Sequence, residues 1–147
     1  KAAAASGFEP GQWEAWAAAE LAKHTERTIL YRPKPNWATA RPIPGATFAQ
    51  VAKDAEIAPA LDGVWAVVSH HSNANVEALQ LGVPSFTFGG VALPLSESRL
   101  SRIETPLRPS YGERLRWLAD IAWTQWSVAE MAEGAPWRHL KEEGLVP

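Results

Sequence analysis

The feature that most restricts the fold is a short run of residues holding two apolar stretches with a cappable segment between them. Val64-Trp65-Ala66-Val67-Val68 is continuously apolar and bounded by Gly63 and Ser69, the pattern of a strand covered on both faces. Ser72 or Asn73 comes next, and either side chain can accept from the unpaired amides of a first helical turn. Val76, Leu79 and Leu81 supply apolar contacts until Gly82 ends the helix, and Val83-Pro84-Ser85-Phe86-Thr87-Phe88 reads as another strand. Strand, helix and strand follow within about 25 residues, room for one crossover, so the two strands are expected to be parallel and the fold to be α/β.

The flanking segments extend this pattern. Trp13, Trp16, Ala17 and Leu21 recur every three to four residues after Glu9-Pro10-Gly11-Gln12, which predicts a helix to about Lys23. Thr28-Ile29-Leu30-Tyr31 predicts a short buried strand, stopped by Arg32-Pro33-Lys34-Pro35 because proline cannot continue a ladder. Residues 36–47 read as a loop touching a short extended piece, and Phe48-Ala49-Gln50-Val51-Ala52 as the start of a helix limited by Pro59 and Gly63. Beyond Pro94, helices are expected over Ser96–Ile103 and Tyr111–Trp126, the second with Leu115, Leu118, Ala122 and Trp126 on one face. Two short helices separated by Gly134-Ala135-Pro136 are expected to form the tail. Three strands make a small doubly wound sheet, so a further strand is expected from residues upstream of Lys1 or from a partner chain.

Composition narrows the functional classes. With 14 basic and 16 acidic residues the net charge is −2, which gives the chain no electrostatic reason to bind a polyanion by itself. Cysteine is absent, excluding disulfides, a thiolate nucleophile and cysteine-ligated metal, and fitting a cytoplasmic setting. No apolar run approaches the roughly 20 residues that span a bilayer, and the alanine-rich lead is too short for a signal sequence. The chain has eight tryptophans, of which Trp117, Trp123, Trp126 and Trp137 crowd into the last third; core and interface area is the plain reading and stacking on a sugar the alternative.

The chemistry concentrates in Ser69-His70-His71-Ser72-Asn73-Ala74-Asn75-Val76-Glu77. Small polar residues here follow a buried strand and precede a helix, the edge at which open parallel sheets bind ligands. Amides and dipole at a helix start favour phosphate, so Ser72-Asn73 can seat one. Glu77, one turn in, can accept from vicinal ribose or sugar hydroxyls. The competing structural reading makes Ser72 a cap alone and Glu77 a dipole offset. Arg32 and Lys34, on a proline-stiffened loop after an earlier strand, can neutralise a diphosphate from the same edge, the alternative being a solvated basic turn. His70 and His71, adjacent at a strand end, are expected to point apart and so to make a poor metal pair, and no metal is expected. His70 is the one expected to meet the phosphate or sugar. Gly89-Gly90 allows close backbone approach to a ligand, or simply a turn.

The order strand, His-Ser-Asn, Val-Glu-Ala-Leu, Gly-Val-Pro and strand resembles the donor-site segment of GT-B glycosyltransferases and related sugar-nucleotide enzymes. Arg32-Pro33-Lys34-Pro35 resembles a segment of capsule-type and bacteriophage-encoded glycosyltransferase-like proteins. The likeness covers roughly residues 28–90 well and the tail loosely. It implies a Rossmann-like parallel sheet flanked by helices, small or incomplete, with a helical tail, forming the carboxyl-terminal half of a two-domain enzyme.

By position, Ser72 and Asn73 would hold the donor phosphates and Glu77 the ribose, with Arg32, Lys34, His70, Asn75, Gly89 and Gly90 completing a nucleotide-sugar site. The whole chain, residues 1–147, would be one nucleotide-sugar-binding domain. The nucleotide sugar would be its donor substrate, with no permanently bound cofactor. A missing amino-terminal domain or partner chain would bring acceptor and base, Trp123, Trp126 and Trp137 would contact it, and nucleic acid would enter only as an acceptor. A sugar-nucleotide epimerase or hydrolase, or a non-catalytic assembly module, are the alternatives. No catalytic base is identifiable.

Overall fold

The computed structural model describes residues 11–146, so the alanine-rich lead and Glu9-Pro10 lie outside the described residues. The chain forms an α/β fold in two compact units, the first ending at Pro109 and the second beginning at Ser110. Among the described residues no helix is long and apolar enough to cross a membrane.

In the first unit, α1 (Gln12–Leu21) is followed by β1 (Leu30–Tyr31), β2 (Thr47–Phe48), β3 (Val67–Ser69), α2 (Asn73–Gln80) and β4 (Ser85–Thr87). The expected crossover is present: β3 and β4 pair in parallel, Val67 opposite Ser85 and Ser69 opposite Thr87, with α2 between them in sequence. The expected single sheet is not. Among the described residues β1 pairs only with β2, also in parallel, so two separate two-stranded sheets stand where one was anticipated.

The segment from Phe48 forms no α-helix. Phe48 closes β2, its ring packed on Tyr31 at 5.7 Å, and Pro59 falls at the start of a single 3₁₀ turn over Ala58–Leu61. The run expected to be a strand from Val64 begins its ladder only at Val67, because Trp65 turns its indole to donate to the Ile103 carbonyl at 2.7 Å. Arg27 and Arg108 both lie over that indole, 3.9 and 4.6 Å from the ring centre, an attraction between cation and aromatic face.

Ser96–Ile103 is likewise no α-helix. Glu97 bridges in parallel to Phe86, and its carboxylate accepts from the Ser98 and Arg99 amides, local bonds that compete with helical ones. A 3₁₀ turn then carries Leu100 and Ile103 into the core.

Alternation along β4 divides two layers. Phe86 points to α1, joining Trp13, Ala17, Leu21, Leu100 and Ile103, with Ile29 and Val68 packed alongside. Ser85 and Thr87 point the other way, where Ser85 meets α2. Ala78 and Leu79 are the fully buried apolar residues of α2; Leu81, expected to be one, is exposed.

The second unit comprises α3 (Tyr111–Trp123), α4 (Val128–Ala132) and α5 (Ala135–Glu142). Ser110 and Glu113 form a reciprocal capping box at the start of α3, and Ser127 and Glu130 another at α4. The covered face of α3 is not the expected one: Trp117 is buried, with Arg114, Leu118 and Ile121 partly so, whereas Leu115 and Ala122 are exposed and Trp126 falls beyond the helix. Trp117 removes more apolar area from water than Leu115 can, and the helix is turned accordingly. Pro136 lies inside the first turn of α5, where its missing N–H is harmless, and Gly134 alone makes the break. His139 packs on Trp123 and Trp126, 5.2 and 5.3 Å between ring centres. Trp123 and Trp137 are exposed.

Candidate functional site

The loops leaving β3 and β4 are bound together. The His70 carbonyl accepts from the Phe88 amide and from the Thr87 hydroxyl, each at 2.9 Å, and that hydroxyl also lies 2.9 Å from the Gly89 carbonyl. Gly90 has a φ of +82°, and a Cβ there would sit 3.4 Å from the His71 Cβ. Gly90→Ala is therefore expected to destabilise the fold by about 1 kcal/mol, while Gly89→Ala, free of the positive φ, stays within about 0.5 kcal/mol. Urea denaturation of the two variants separates these outcomes, and equal midpoints would count against the turn's need for glycine.

Ser72, rather than Asn73, is the helix cap: its backbone is extended and its hydroxyl accepts from the Ala74 amide at 3.2 Å. Asn73 is the first helical residue and stands exposed. Beneath them Ser69 accepts from the Ser72 amide at 3.1 Å and hydrogen-bonds the Asn75 side chain.

Asn75, anticipated as a ligand contact, has no exposed surface. Its Nδ2 donates to Ser85 Oγ at 2.7 Å and to the Phe86 carbonyl at 2.9 Å. The line continues through Ser96 Oγ, 2.7 Å from Ser85 Oγ, to the Ala92 carbonyl. Asn75 positions the loop and has no group left for a ligand.

The two histidines do not diverge as expected. Their rings lie 4.7 Å apart with the Nδ1 atoms in contact, because the chain leaves the strand at Ser69 and strand alternation no longer governs them. The Trp13 ring stands edge-on to His70 at 5.6 Å and to Phe88 at 6.0 Å. Burial lowers the His70 pKa below its ordinary 6.5, the neighbouring His71 adds to this, and the Glu14 carboxylate opposes it. His70 is accordingly neutral at pH 7, with one ring nitrogen able to donate and the other to accept.

Glu77 lies one turn into α2, partly exposed, and among the described residues its carboxylate takes part in no ion pair or hydrogen bond. Arg32 does: its guanidinium donates to the Ala55 and Glu56 carbonyls, both at 3.2 Å, and among the described residues no hydrogen bond joins it to the His70–Ser72 loop. Lys34 is exposed, with no carboxylate partner among the described residues.

One residue relates the ends of β1 and β3. Tyr31 at the end of β1 has its pKa raised by burial and then by Glu14, the same carboxylate that acts on His70 just past β3. Sequence reasoning missed Glu14, although a signal was present: with Ala17, Ala18 and Leu21 it completes a spacing of three, four and seven, an acid on the apolar stripe.

No protein-family model, curated protein or solved structure matches this chain.

Proposed function

We propose that the first unit binds the diphosphate and ribose of a nucleotide-sugar donor and serves a GT-B-type glycosyl transfer, with a Rossmann-like arrangement reduced to its essential crossover. The observation that carries this reading is the parallel β3–α2–β4 unit, whose Ser72-capped helix starts at the carboxyl edge of the sheet beside the Gly89-Gly90 turn. Open parallel sheets bind ligands at that edge, and a helix start offers amides and a favourable dipole to phosphate. The unpaired carboxylate of Glu77 suits the two hydroxyls of a ribose. Lys34 offers a mobile charge for the diphosphate, whereas Arg32 must first release the Ala55 and Glu56 carbonyls.

In transfer, the work of such a site is to stabilise the departing diphosphate as charge develops on it, with donors already oriented. Neutral His70 can donate to the phosphate or to the sugar from beside the helix start. The acceptor and the base that deprotonates it belong to a second domain or partner in this reading.

Calorimetric titration with UDP, CMP and GDP is the direct test, with binding of at least one expected. Glu77→Ala is expected to weaken that binding by about 1–3 kcal/mol, the worth of a charged hydrogen bond, with the thermal midpoint nearly unchanged. A lowered midpoint with undiminished affinity would reduce Glu77 to a structural acid, and absence of binding by all three nucleotides would end the reading.

A further inference from the structure

The second unit holds a cavity of about 340 Å³, near the lower end of the roughly 300–1,000 Å³ usual for small-molecule sites. Spacing builds one wall: Pro136, His139, Leu140 and Glu143 follow one another at helical intervals and share a face of α5. Gly144, at a φ of +67°, then reverses the chain, its amide donating to the Lys141 carbonyl at 3.0 Å and the Leu145 amide to the Leu140 carbonyl at 2.9 Å. That reversal brings Leu145 onto the cavity as well. The end of α3 and the residues just past it supply the aromatic wall, where Trp123 and Trp126 both pack on the His139 imidazole.

The lining selects the ligand. Apart from Thr124, His139 and Glu143 its side chains are apolar or aromatic. The Thr124 hydroxyl is already engaged with the Asp120 and Ile121 carbonyls, at 3.3 and 3.0 Å. No Lys or Arg lines the cavity, and Lys141 places its amine 5.9 Å from the Trp137 ring instead. Glu143 caps the carboxyl end of α5, where the helix dipole is itself negative, and among the described residues its side chain has no ion pair or hydrogen bond. Two indoles and an uncompensated negative end thus line one small space. A saccharide needs partners for several hydroxyls, and a primary ammonium needs an acceptor for each N–H; the lining offers too few of either. A quaternary ammonium needs neither, because it spreads its charge over C–H groups that lie on aromatic faces near an anion.

We propose that this cavity binds a small quaternary ammonium of the choline type, with Trp123 and Trp126 facing its methyl groups and Glu143 at the end of α5 balancing its charge. The site belongs to the second unit alone and is independent of the nucleotide-sugar reading.

The test titrates the full chain with choline and follows the indole N–H resonances by NMR. Beside it run methyl glucoside and the neutral carbon analogue of choline, in which a quaternary carbon replaces the nitrogen. Choline is expected to shift the Trp123 and Trp126 signals saturably and to bind about tenfold more tightly than its carbon analogue. Phosphocholine in parallel distinguishes a phosphate-bearing headgroup from the free alcohol, and binding of either supports the site. Glu143→Gln, at an exposed position, is expected to weaken choline about threefold and to leave the carbon analogue unchanged. Trp123→Leu, likewise exposed, is expected to weaken choline about fivefold. Equal affinity for choline and its carbon analogue, tighter binding of the glucoside, unaltered choline affinity in both variants, or no saturable shift with either quaternary ammonium overturns the assignment.

Discussion

Phe86→Ala is expected to destabilise the first unit by about 3–5 kcal/mol, the usual loss when a fully buried phenyl is truncated. Phe86 has no accessible surface and lies among Trp13, Ala17, Leu21, Leu100 and Ile103. Those neighbours come from α1 and the 3₁₀ turn on either side of it in sequence, neither of which can collapse far without giving up its own contacts. A domain stable by about 5–15 kcal/mol would lose a large share of that margin. Urea denaturation followed by far-ultraviolet circular dichroism measures the loss. A shift equivalent to less than about 1 kcal/mol would mean that α1 does not pack on β4.

Asn75→Ala is expected to destabilise by about 2–4 kcal/mol, because truncation removes a fully buried amide and takes a hydrogen-bond partner from three groups around it. Those groups are the hydroxyls of Ser69 and Ser85 and the Phe86 carbonyl. Ser69 also receives the Ser72 amide, so the cap of α2 loses its footing along with the strand contacts. Asn73→Ala, two residues earlier and exposed at the first helical position, is expected to change stability by less than about 0.5 kcal/mol. The contrast within one helix is the informative measurement, and equal losses at both positions would contradict the buried role of Asn75.

Those two asparagines show where local sequence stops being informative. Both stand near a helix start, where asparagine commonly caps, and spacing along the chain cannot distinguish them. The distinction arises from Ser85, ten residues on, whose hydroxyl gives the Asn75 amide a buried partner. Arg32 is a parallel case: a basic residue after a strand suggests an anion, yet the carbonyls that occupy it belong to Ala55 and Glu56 in a loop without a regular pattern. Glu14 was legible as an acid on an apolar stripe, but that its Oε2 is shielded from solvent without a hydrogen-bond partner is a three-dimensional property.

The sequence by itself determined the β3–α2–β4 crossover. Its signals are local: an apolar run, a capping serine, a glycine stop and a second run, all within reach of one another along the chain. The same holds for the start of α3, where Ser110 and Glu113 carry the capping box in their spacing. Tertiary structure alone decided that β1 pairs with β2 apart from β3 and β4, that Glu97 joins the edge of β4 in place of a helix, and that Trp117 sets the covered face of α3. Each of these depends on which distant group offers a hydrogen-bond ladder or apolar area. Residue order specifies local backbone preference, whereas the choice among distant partners is made only when the chain has packed.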